Sequence, residues 1–348
     1  MPRPTGIGVY TEALIGELLE TREFALVWLA HAPLHPSVGL AGRGLAIEVH
    51  RAPLGVLWQQ QYLPRRLARG DIDLLWSPLL TLPHRLPVPG VVTIHDLAVL
   101  HHPETLTWKV RLSLLPFLDS TVRQATRIVT VSHSVAGEIA QQWPDAARRT
   151  AVVWNGVGQG FLPASGPELS AIRAGLDLPD RFIFFAGTVE PRKNLDLLLD
   201  AWEALRAASA ETPPLLVAGP DGWGSRATHR RMERLAPAGL RRLGHLERAD
   251  LVAARQSSTV FVFPSLYEGF GLPAAEAMAC GVPVMVSNRS SLPEVVGDAG
   301  RLFDPDDPVD LADGLREWLD SPALLARARA RGLERAAAFT WRRSAGEH

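Results

Sequence analysis

The sequence PSLYEGFGLP, residues 264–273, lies between two short apolar runs. Residues 259–263 before it are β-branched and aromatic, which predicts a buried strand, and residues 282–286 after it predict another. Pro273 suits the first turn of a helix, and Gly281 suits its end. The sequence therefore predicts a strand, a glycine loop, a short helix and a second strand in succession.

The backbone of this loop is suited to binding an anion. Gly269 and Gly271 let the main chain approach a ligand without a clashing side chain. The amides of Phe270, Gly271 and Leu272 lead into the predicted helix, where unpaired N–H groups and the helix dipole favour negative charge. We therefore expect a phosphate group to bind at this turn.

Two carboxylates accompany the expected anion site. Glu268 lies in the loop, and Glu276 is expected in the first turn of the helix, pointing back towards the loop. A phosphate next to carboxylates requires a ligand that also offers hydroxyl groups, because carboxylates accept hydrogen bonds. Sugars and riboses meet this requirement, so we predict a nucleotide-sugar site. The alternative is a capped loop with two solvated acids.

Glu268 and Glu276, separated by seven residues and set in this stretch, resemble the signature of the retaining GT-B glycosyltransferases. The likeness is greatest to the family 4 group of bacterial mannosyltransferase-like enzymes. The resemblance implies an α/β fold of GT-B architecture, with two Rossmann-like domains facing a central cleft. We expect an acceptor-side domain over residues 1–163 and a nucleotide-sugar-binding domain, with a short C-terminal tail, over residues 164–348.

The composition limits the partners and the location. The 348 residues suffice for two domains, and the formal net charge of −1 gives no signal for nucleic acid. Cys280 is the only cysteine, so no intrachain disulfide can form, which fits a reducing cytoplasm. No apolar run approaches a membrane span, and no signal peptide is recognised. We expect a cytoplasmic protein, with the inner face of the membrane as a second location.

The chain begins with a glycine loop at residues 1–8, and the apolar positions of residues 7–19 predict a helix after it. The resemblance places a core strand before this loop and gives Gly6 a role at the donor phosphate. A bland N-terminal turn is the alternative. No strand precedes Gly6 in this sequence, so we expect either a start further upstream or a missing first strand. The second case implies a catalytically impaired nucleotide-sugar-binding homologue, which is the alternative function.

His95 and Asp96 follow a buried strand predicted over residues 91–94. Ligands of open α/β sheets bind beyond the carboxyl ends of the strands, so His95 is well placed for function. The resemblance implies that His95 lies beside the donor sugar as a catalytic residue, together with Glu268. Asp96 is expected to hold the loop or to orient His95. A structural histidine is the alternative.

Residues 56–69 predict a largely helical segment, kinked or split at Pro64, that is both amphipathic and basic. Such a segment can lie on an anionic membrane, so a peripheral membrane association is one interpretation. The solvated face of a packed helix is the interpretation that we favour.

In the second half, a strand predicted over residues 182–186 ends at Gly187 and is followed by Arg192 and Lys193. Two adjacent cations at a glycine turn before a helix can neutralise a diphosphate. The resemblance implies that they hold the leaving phosphate of the donor, although Thr188 stands where many relatives carry the arginine. A solvated pair of cations is the alternative.

The resemblance assigns the remaining donor contacts. The loop amides and the two cations stabilise the charge that develops on the departing diphosphate. Glu276 binds the ribose hydroxyls, and Glu268 holds hydroxyls of the transferred sugar. Leu246, at the end of a strand predicted over residues 241–246, lies near the nucleotide base.

We therefore predict a glycosyltransferase that moves mannose or a similar hexose from a nucleotide-diphospho donor to an acceptor hydroxyl, with retention at the anomeric carbon. GDP-mannose is the expected donor, and a glycan or lipid-linked intermediate is the expected acceptor. No cofactor is obligatory. The pattern Asp-x-Asp occurs at residues 71–73 and 304–306, but the first opens a strand and the second lies in a turn, so no metal site is predicted.

Two rival classes fit less well. A nicotinamide-dependent oxidoreductase needs a Gly-x-Gly-x-x-Gly turn after a first strand, followed by an acid about twenty residues on, and the sequence has no such unit. A phosphorylase of the same architecture needs a lysine that binds pyridoxal phosphate, which the sequence alone does not show.

Overall fold

A computed structural model describes residues 6–34, 38–40 and 43–348. The chain divides into two compact units: the first consists of Met1–Gly156 and Thr340–His348, and the second is Val157–Phe339. The boundary expected between residues 163 and 164 lies slightly later in the chain than this division. The C-terminal tail, expected in the second domain, groups with the first unit. The chain therefore passes from the first unit to the second and back again.

The strands are short, and every pairing between them is parallel in the described part of the chain. The first unit contains β1 (Val27–Ala30), β2 (Ala46–Val49), β3 (Leu75–Ser77), β4 (Gly90–Ile94), β5 (Arg127–Thr130) and β6 (Thr150–Val152). The second unit contains β7 (Ile183–Ala186), β8 (Leu215–Ala218), β9 (Leu240–Gly244), β10 (Val260–Phe263), β11 (Val284–Ser287) and β12 (Arg301–Phe303).

The helices alternate with these strands along most of the chain. The first half contains α1 (Gly6–Thr21), α2 (Gly55–Leu57), α3 (Leu63–Leu67), α4 (Ala98–His101), α5 (Trp108–Gln124) and α6 (His133–Gln142). The second half contains α7 (Gly166–Gly175), α8 (Leu195–Ala208), α9 (Arg226–Leu235), α10 (Arg248–Ser257), α11 (Leu272–Ala279), α12 (Leu292–Val296), α13 (Pro308–Asp320), α14 (Pro322–Ala336) and α15 (Trp341–Glu347). Alternation of this kind, with parallel pairing, is the doubly wound α/β pattern.

The sheet of the second unit has the strand order β9-β8-β7-β10-β11-β12. The chain starts in the middle at β7, builds outward through β8 and β9, and returns to the middle at β10 to build the other half. In such a sheet the loops that leave the two central strands diverge and open a crevice at the carboxyl edge. The loops that follow β7 and β10, residues 187–194 and 264–271, flank this crevice.

The core of the second unit holds these two central strands rigidly. Every residue of β7 and β10 is buried, as expected for parallel strands covered by helices on both faces. The rings of Phe184 and Phe261 lie side by side, with centroids 6.1 Å apart. Helix α8 buries Leu198, Trp202 and Leu205, which recur at helical spacing along one face. The loops that leave β7 and β10 therefore start from a well-packed base.

The first unit contains two separate sheets among the described residues. Strands β1 and β2 form one pair, and β3, β4, β5 and β6 form the other sheet in that order. Buried side chains from the second sheet, such as Val92, Ile94 and Ile128, pack with Leu118 of α5 and Ile139 of α6. The carboxyl end of β4 leads directly to His95.

Helices α1 and α15 complete the first unit. The ring of Tyr10 in α1 lies 5.7 Å from that of Trp341 in α15, and Ser344 Oγ donates a hydrogen bond to the carbonyl of Trp154 at 2.5 Å. A Cβ atom on Gly156 would lie 2.3 Å from the backbone nitrogen of Trp341, so a glycine is required at this contact. The short C-terminal tail expected from the sequence contains α15, which has 7 residues.

The glycine loop expected at residues 1–8 lies only partly within the described residues. Residues 6–8 form the first turn of α1, with Gly6 exposed at its start. Residues 1–5 and any strand before them fall outside the described ranges, so the expectation about a first strand stays a prediction.

Two prolines lie inside helical segments. Pro116 lies inside α5, which nevertheless runs continuously from Trp108 to Gln124. The split predicted at Pro64 takes the form of a π-helical turn, Trp58–Tyr62, between α2 and α3. A proline removes a backbone donor and crowds the preceding turn, and the wider π turn accommodates both effects.

The basic segment at residues 56–69 packs against the rest of the first unit. Arg66 is buried, and its guanidinium pairs with Glu48 at 2.7 Å and with Asp71 at 2.6 Å. These contacts favour the interpretation of a packed helix. They also give Asp71, the first member of an Asp-x-Asp pattern, a structural partner.

We predict that Gly219→Ala destabilises the second unit, because an alanine Cβ there would lie 1.9 Å from the carbonyl oxygen of Gly187. Gly219 also has φ +138°, a backbone conformation that disfavours side chains. A strained backbone and an overpacked contact together cost about 2–4 kcal/mol, so the thermal midpoint should fall by roughly 5–10 °C. Differential scanning calorimetry measures this change.

The matched control is Gly137→Ala, in the exposed interior of α6, where a Cβ atom would meet nothing within 4 Å. This substitution should leave the midpoint unchanged or raise it slightly, because alanine favours a helix over glycine. An unchanged midpoint for Gly219→Ala would show that the two strand ends tolerate a wider separation.

Candidate functional site

The candidate site lies at the carboxyl ends of β7 and β10, where two loops are joined by backbone contacts. The amide of Leu266 donates to the carbonyl of Arg192 at 2.9 Å, and Ser265 Oγ donates to the same carbonyl at 3.2 Å. The contact brings the Arg192–Lys193 pair next to Glu268, three of the residues predicted from the sequence. They come together because β7 and β10 are hydrogen-bonded neighbours.

A buried cluster of charges forms where the loops meet. Lys193 Nζ is hydrogen-bonded to Glu268 Oε1, and Ser265 Oγ donates to the same oxygen at 2.5 Å. Arg192 Nη1 lies 3.4 Å from Glu268 Oε2, while Arg192 Nη2 donates to Glu190 at 2.9 Å. Both members of the central pair, Lys193 and Glu268, are buried. The positive charges of Arg192 and Lys193 are equal in number to the negative charges of Glu190 and Glu268.

The environment perturbs both members of the central pair. Burial alone raises the pKa of Glu268, but the charges of Lys193 and Arg192 outweigh it, so this pKa lies below its ordinary value. Burial lowers the pKa of Lys193, and the neighbouring Arg192 lowers it further, against the opposing effect of Glu268. The arrangement therefore keeps Glu268 ionised and makes Lys193 depend on its carboxylate partner.

Serines from the loop after β11 fix the backbone around Glu268. Its amide donates to Ser290 Oγ at 2.8 Å, and its carbonyl accepts from Ser291 Oγ at 2.9 Å. Ser287 Oγ donates to the carbonyl of Ser265 at 2.5 Å. The sequence analysis did not single out these serines. The available signal is the presence of three serines, at residues 287, 290 and 291, at and just after the end of a strand.

The glycine loop enters its helix one residue earlier than Pro273. Gly271 has φ +96° and forms the N-cap of α11, which begins at Leu272. A Cβ atom on Gly271 would lie 2.5 Å from Leu292 Cδ2, so both conformation and space require glycine. Pro273 has no N–H, and the amides of Ala274 and Ala275 donate to the carbonyl of Gly271 at 3.0 and 3.3 Å, so the predicted anion site depends on the amides of residues 270–272.

Glu276 lies in the second turn of α11, not in the first turn as predicted, and it has a partner that the sequence analysis missed. Arg255 Nη1 donates to Glu276 Oε2 at 2.5 Å, and Arg255 itself is 1% exposed. The guanidinium lies over the rings of Phe161 and Phe261, at 5.2 and 5.4 Å. Arg255 therefore fixes the orientation of the Glu276 carboxylate, which remains partly exposed to solvent.

The other two residues predicted for donor binding in the second unit lie at different strand ends. Gly187 directly follows β7, where its amide donates to the carbonyl of Ala218 at 3.0 Å. The strand predicted to run to residue 246 is β9, which ends at Gly244. Leu246 therefore lies two residues beyond it. Strand β8 separates β9 from β7, so Leu246 is not part of the charge cluster.

His95 lies in the first unit, at the carboxyl end of β4. Its Nε2 is 3.1 Å from the carbonyl oxygen of Pro78, which can only accept, so Nε2 carries the proton and Nδ1 the lone pair. Burial lowers the pKa of His95 to about 4, which keeps the ring neutral near pH 7. Asp96 accepts a hydrogen bond from the amide of Ala98 at 3.0 Å and so holds the loop.

His348 joins His95 in an aromatic cluster of the first unit. Its ring lies 4.9 Å from that of Trp76, while the ring of Tyr10 lies 4.6 Å from that of His95. Both ring nitrogens of His348 are buried, and neither has a hydrogen-bond partner among the described residues. Burial, with a contribution from His95, lowers the pKa of His348 to about 4. The sequence analysis did not single out this residue.

We find no candidate metal site in the part of the chain that the structure describes. No group of three or more His, Cys, Asp or Glu side chains is arranged there to hold an ion. Asp304 and Asp306 instead lie near Arg289, at 3.5 and 2.7 Å. The absence of an obligatory metal stays a prediction.

None of the described helices is both long and apolar enough to cross a bilayer.

Two family models match the chain. Residues 4–158 match the model described as Glycosyltransferase Family 4, and residues 171–335 match the model described as Glycosyl transferases group 1. The O-antigen chain mannosyltransferase B of Escherichia coli is 34% identical to this chain, over 97% of the chain and 93% of its own length. The serotype-specific mannosyltransferase WbdA of Escherichia coli is 34% identical over 64% of this chain, a match that spans 28% of WbdA.

Solved structures share the fold. Alr3699/HepE of Anabaena, crystallised with UDP and glucose, superposes with a TM-score of 0.75 at 20% identity, over 97% of this chain and 93% of that one. The likeness shows that the fold is GT-B, and the predicted α/β architecture with two Rossmann-like domains is confirmed.

We predict that breaking the Lys193–Glu268 pair from either side destabilises the second unit. Glu268→Gln leaves two cations without their carboxylate, and Lys193→Met leaves a buried carboxylate with Arg192 alone. Removal of one partner of a buried pair costs about 3–5 kcal/mol, and Glu268→Gln should cost more than Lys193→Met. The double variant should recover part of the loss. Urea denaturation followed by circular dichroism gives the four free energies of the cycle.

The control for this cycle is Asp313→Asn, which breaks the exposed ion pair with Arg316 in the same unit. Its cost should be about 0.5 kcal/mol or less, as for other solvent-screened pairs. Additive losses in the double variant would contradict the coupling that the structure shows.

Proposed function

This chain is a member of glycosyltransferase family 4, and we propose that it transfers mannose from GDP-mannose to a hydroxyl group of a growing glycan with retention at the anomeric carbon. The family and the transferase class follow from the matches above. The donor nucleotide, the sugar, the acceptor and the stereochemistry are the proposal. A cytoplasmic location also belongs to it, in keeping with the single cysteine of the chain.

One observation carries the choice of mannose. The relative named O-antigen chain mannosyltransferase B matches nearly the whole chain, at 34% identity over 97% of its residues. A match of this extent includes both units and therefore both the donor and the acceptor halves of a transferase. The structural neighbour crystallised with UDP and glucose is only 20% identical, so it supports the fold and not the choice of donor.

The charge cluster supports the proposal for the donor diphosphate. Arg192 and Lys193 lie at the switch point of the sheet, beside the glycine loop and the amides of residues 270–272. We propose that these groups bind the diphosphate and stabilise the charge that it gains as the glycosidic bond to the sugar breaks. Without a donor, Glu268 and Glu190 offset the two cations, so the site holds them in position without leaving buried charge unpaired.

The two signature carboxylates are proposed to bind hydroxyl groups. In this proposal Glu276, oriented by Arg255, binds the ribose hydroxyls, and Glu268 binds hydroxyls of the transferred sugar. His95 presents a lone pair at Nδ1 and is proposed to accept a hydrogen bond from a sugar hydroxyl. Gly6 at the start of α1 and Leu246 after β9 keep their predicted roles at the donor phosphate and the base.

We predict that the purified chain transfers mannose from GDP-mannose to a mannose-terminated oligosaccharide. Mass spectrometry should show one added hexose and an equivalent release of GDP. The new linkage should be α, as in GDP-α-mannose, and the one-bond carbon–proton coupling of its anomeric carbon by NMR decides this. Glu268→Ala should abolish transfer while GDP binding persists.

The outcomes separate the proposal from its rivals. Turnover of UDP-glucose without turnover of GDP-mannose would assign a different donor. A β product would contradict retention. Binding of GDP-mannose without any transfer would favour the catalytically impaired homologue.

We predict that Lys193→Met weakens the binding of GDP by about 10–100-fold and leaves the binding of guanosine within a factor of three, because one charge-assisted hydrogen bond contributes about 1.5–3 kcal/mol. Isothermal titration calorimetry measures both ligands at a temperature where circular dichroism shows the variant folded. Arg316→Ala, which removes an exposed cation of the same unit, should change neither affinity. Equal losses for GDP and guanosine would argue against a phosphate contact.

A further inference from the structure

Two histidines occupy matching positions at the carboxyl edge of the two-stranded sheet in the first unit. Ala30 of β1 is the partner of Val49 of β2 in the register of this sheet. His31 and His50 are the next residues along the two strands, and both are exposed. The amide of His50 donates to the carbonyl of Ala30 at 2.9 Å, which holds the two strand ends together. Ligands of open α/β sheets bind beyond this edge, so both imidazoles lie where a ligand can reach them.

Two aromatic rings from the π-helical turn pack against these histidines. The ring of Tyr62 is stacked on that of His50, with centroids 3.7 Å apart and an angle of 4° between the planes. The ring of Trp58 lies 6.1 Å from that of Tyr62 and 6.2 Å from that of His31. The four rings therefore form one continuous row, which we call the aromatic platform. Trp58 and Tyr62 are half-buried, so the whole row borders solvent.

The π-helical turn brings Trp58 and Tyr62 to the same side of their segment. The amide of Leu63 donates to the carbonyl of Trp58, five residues earlier, which is the hydrogen bond that defines a π turn. Side chains four residues apart are neighbours on a helix, and here their rings meet. Single π turns inside helices occur frequently at functional sites. The turn thus supports a functional interpretation of the platform.

The turn is fixed to the loop that follows β3. Gln59 Nε2 donates to the carbonyl of Thr81 at 2.8 Å, and Gln59 Oε1 accepts from the Thr81 hydroxyl at 3.1 Å. The same loop presents the carbonyl of Pro78 to His95 Nε2, at 3.1 Å. Residues 78–81 therefore hold both His95 and the segment that carries the platform. A ligand that extends beyond His95 along this loop reaches the aromatic row.

The indole N–H of Trp58 is not used within the described part of the chain. Its Nε1 is buried and has no hydrogen-bond partner there. By contrast, Trp76 Nε1 donates to Thr93 Oγ1 at 3.0 Å. Trp202 Nε1 donates to the carbonyl of Pro213, also at 3.0 Å. Buried indole groups usually have such a partner. Ring packing therefore sets the orientation of Trp58, and its N–H is a donor that a ligand can satisfy.

The chemistry of the platform suits a saccharide. A pyranose offers a face of C–H groups that packs on an aromatic ring, and its hydroxyls pair with imidazole and indole nitrogens. None of the four side chains is a carboxylate, an ammonium or a guanidinium. Aromatic surface with a few polar groups is the usual composition of a small-molecule site. A neutral ligand with many hydroxyl groups therefore fits the platform better than an ion.

We propose that the aromatic platform binds a sugar residue of the acceptor glycan at a distance from the sugar that receives the new linkage. This inference rests on the proposed function, which supplies the glycan acceptor. The shared loop, residues 78–81, sets the platform to one side of His95, so the distal part of the glycan lies on the aromatic row. The platform then favours acceptors longer than a single sugar.

The first test measures saccharide binding to the full chain without any donor. Saturation-transfer difference NMR titrations with α-mannotetraose and with methyl α-mannoside give the two dissociation constants. We expect the tetraose to bind about fivefold more tightly or better, because only the longer ligand covers the rings. Neither measurement requires turnover or a known donor.

Substitutions in the platform should weaken this binding. His50→Ala removes the outer ring of the stack, and Tyr62→Ala removes the ring beneath it. Each should raise the dissociation constant of the tetraose about fivefold or more and leave that of methyl α-mannoside within about a factor of two. Tyr62→Phe keeps the ring and should bind nearly as the wild type does. His50 is exposed, so His50→Ala should keep the thermal midpoint even where Tyr62→Ala lowers it.

The matched control is Trp108→Ala, which removes a ring that is 65% exposed elsewhere in the first unit. This variant should bind the tetraose as the wild type does. In transfer assays, His50→Ala should raise KM for the tetraose about fivefold, while kcat and KM for the donor stay within about a factor of two. A side chain with a merely structural role would not separate long acceptors from short ones in this way.

The outcomes distinguish this inference from the proposed function. If no donor is turned over and His50→Ala still loses the tetraose, the platform is supported and the proposed function fails. Transfer with the same tetraose KM in the wild type, His50→Ala and Tyr62→Ala would overturn the platform and leave the proposed function intact. Absence of tetraose binding by the wild type would also overturn it. Lipid vesicles that bind the wild type but not His50→Ala, without any saccharide binding, would assign the rings to a membrane surface instead.

Discussion

Lys193 is buried in the loop that follows the central strand β7, at the carboxyl edge of the sheet, and an ammonium group can be buried there only with a carboxylate beside it. Glu268 supplies that carboxylate from the neighbouring strand end. The pairing requires β7 and β10 to be adjacent, which in turn requires the chain to leave the centre of the sheet and return to it. Strand order, loop position and site charge are thus linked. A rearrangement of the sheet would leave a buried cation alone.

The parts of the site that local sequence determines were predictable. The glycine loop could be placed because Gly269 and Gly271 stand between two apolar runs and Pro273 suits the first turn of a helix, which the structure shows as α11. The cations at residues 192 and 193 could be placed because a buried apolar run precedes them and ends at Gly187. Their meeting with Glu268 could be expected once both loops were assigned to carboxyl ends of parallel strands.

The parts that depend on distant packing were not predictable from the same patterns. Arg255 reaches Glu276 across twenty intervening residues because α10 and α11 flank β10, and nothing in the sequence around Arg255 indicates a buried ion pair. The continuity of α5 through Pro116 is another case, since the local rule favours a break and the packing of Leu118 and Val122 overrides it. His348 lies near His95 only because the tail returns to the first unit.

The return of the tail also bears on the order in which a newly made chain can fold. Domains generally fold as they leave the ribosome, and contacts between distant residues form late. The second unit is one continuous stretch, so its six strands and their helices can assemble as soon as they have been synthesised. By contrast, the contact of Tyr10 with Trp341 and the hydrogen bond from Ser344 to the carbonyl of Trp154 form only after the C-terminal tail has been synthesised. The unit that is synthesised first is therefore completed only after the second unit has been made, and its aromatic surface around Tyr10 stays uncovered until residues 340–348 have been synthesised.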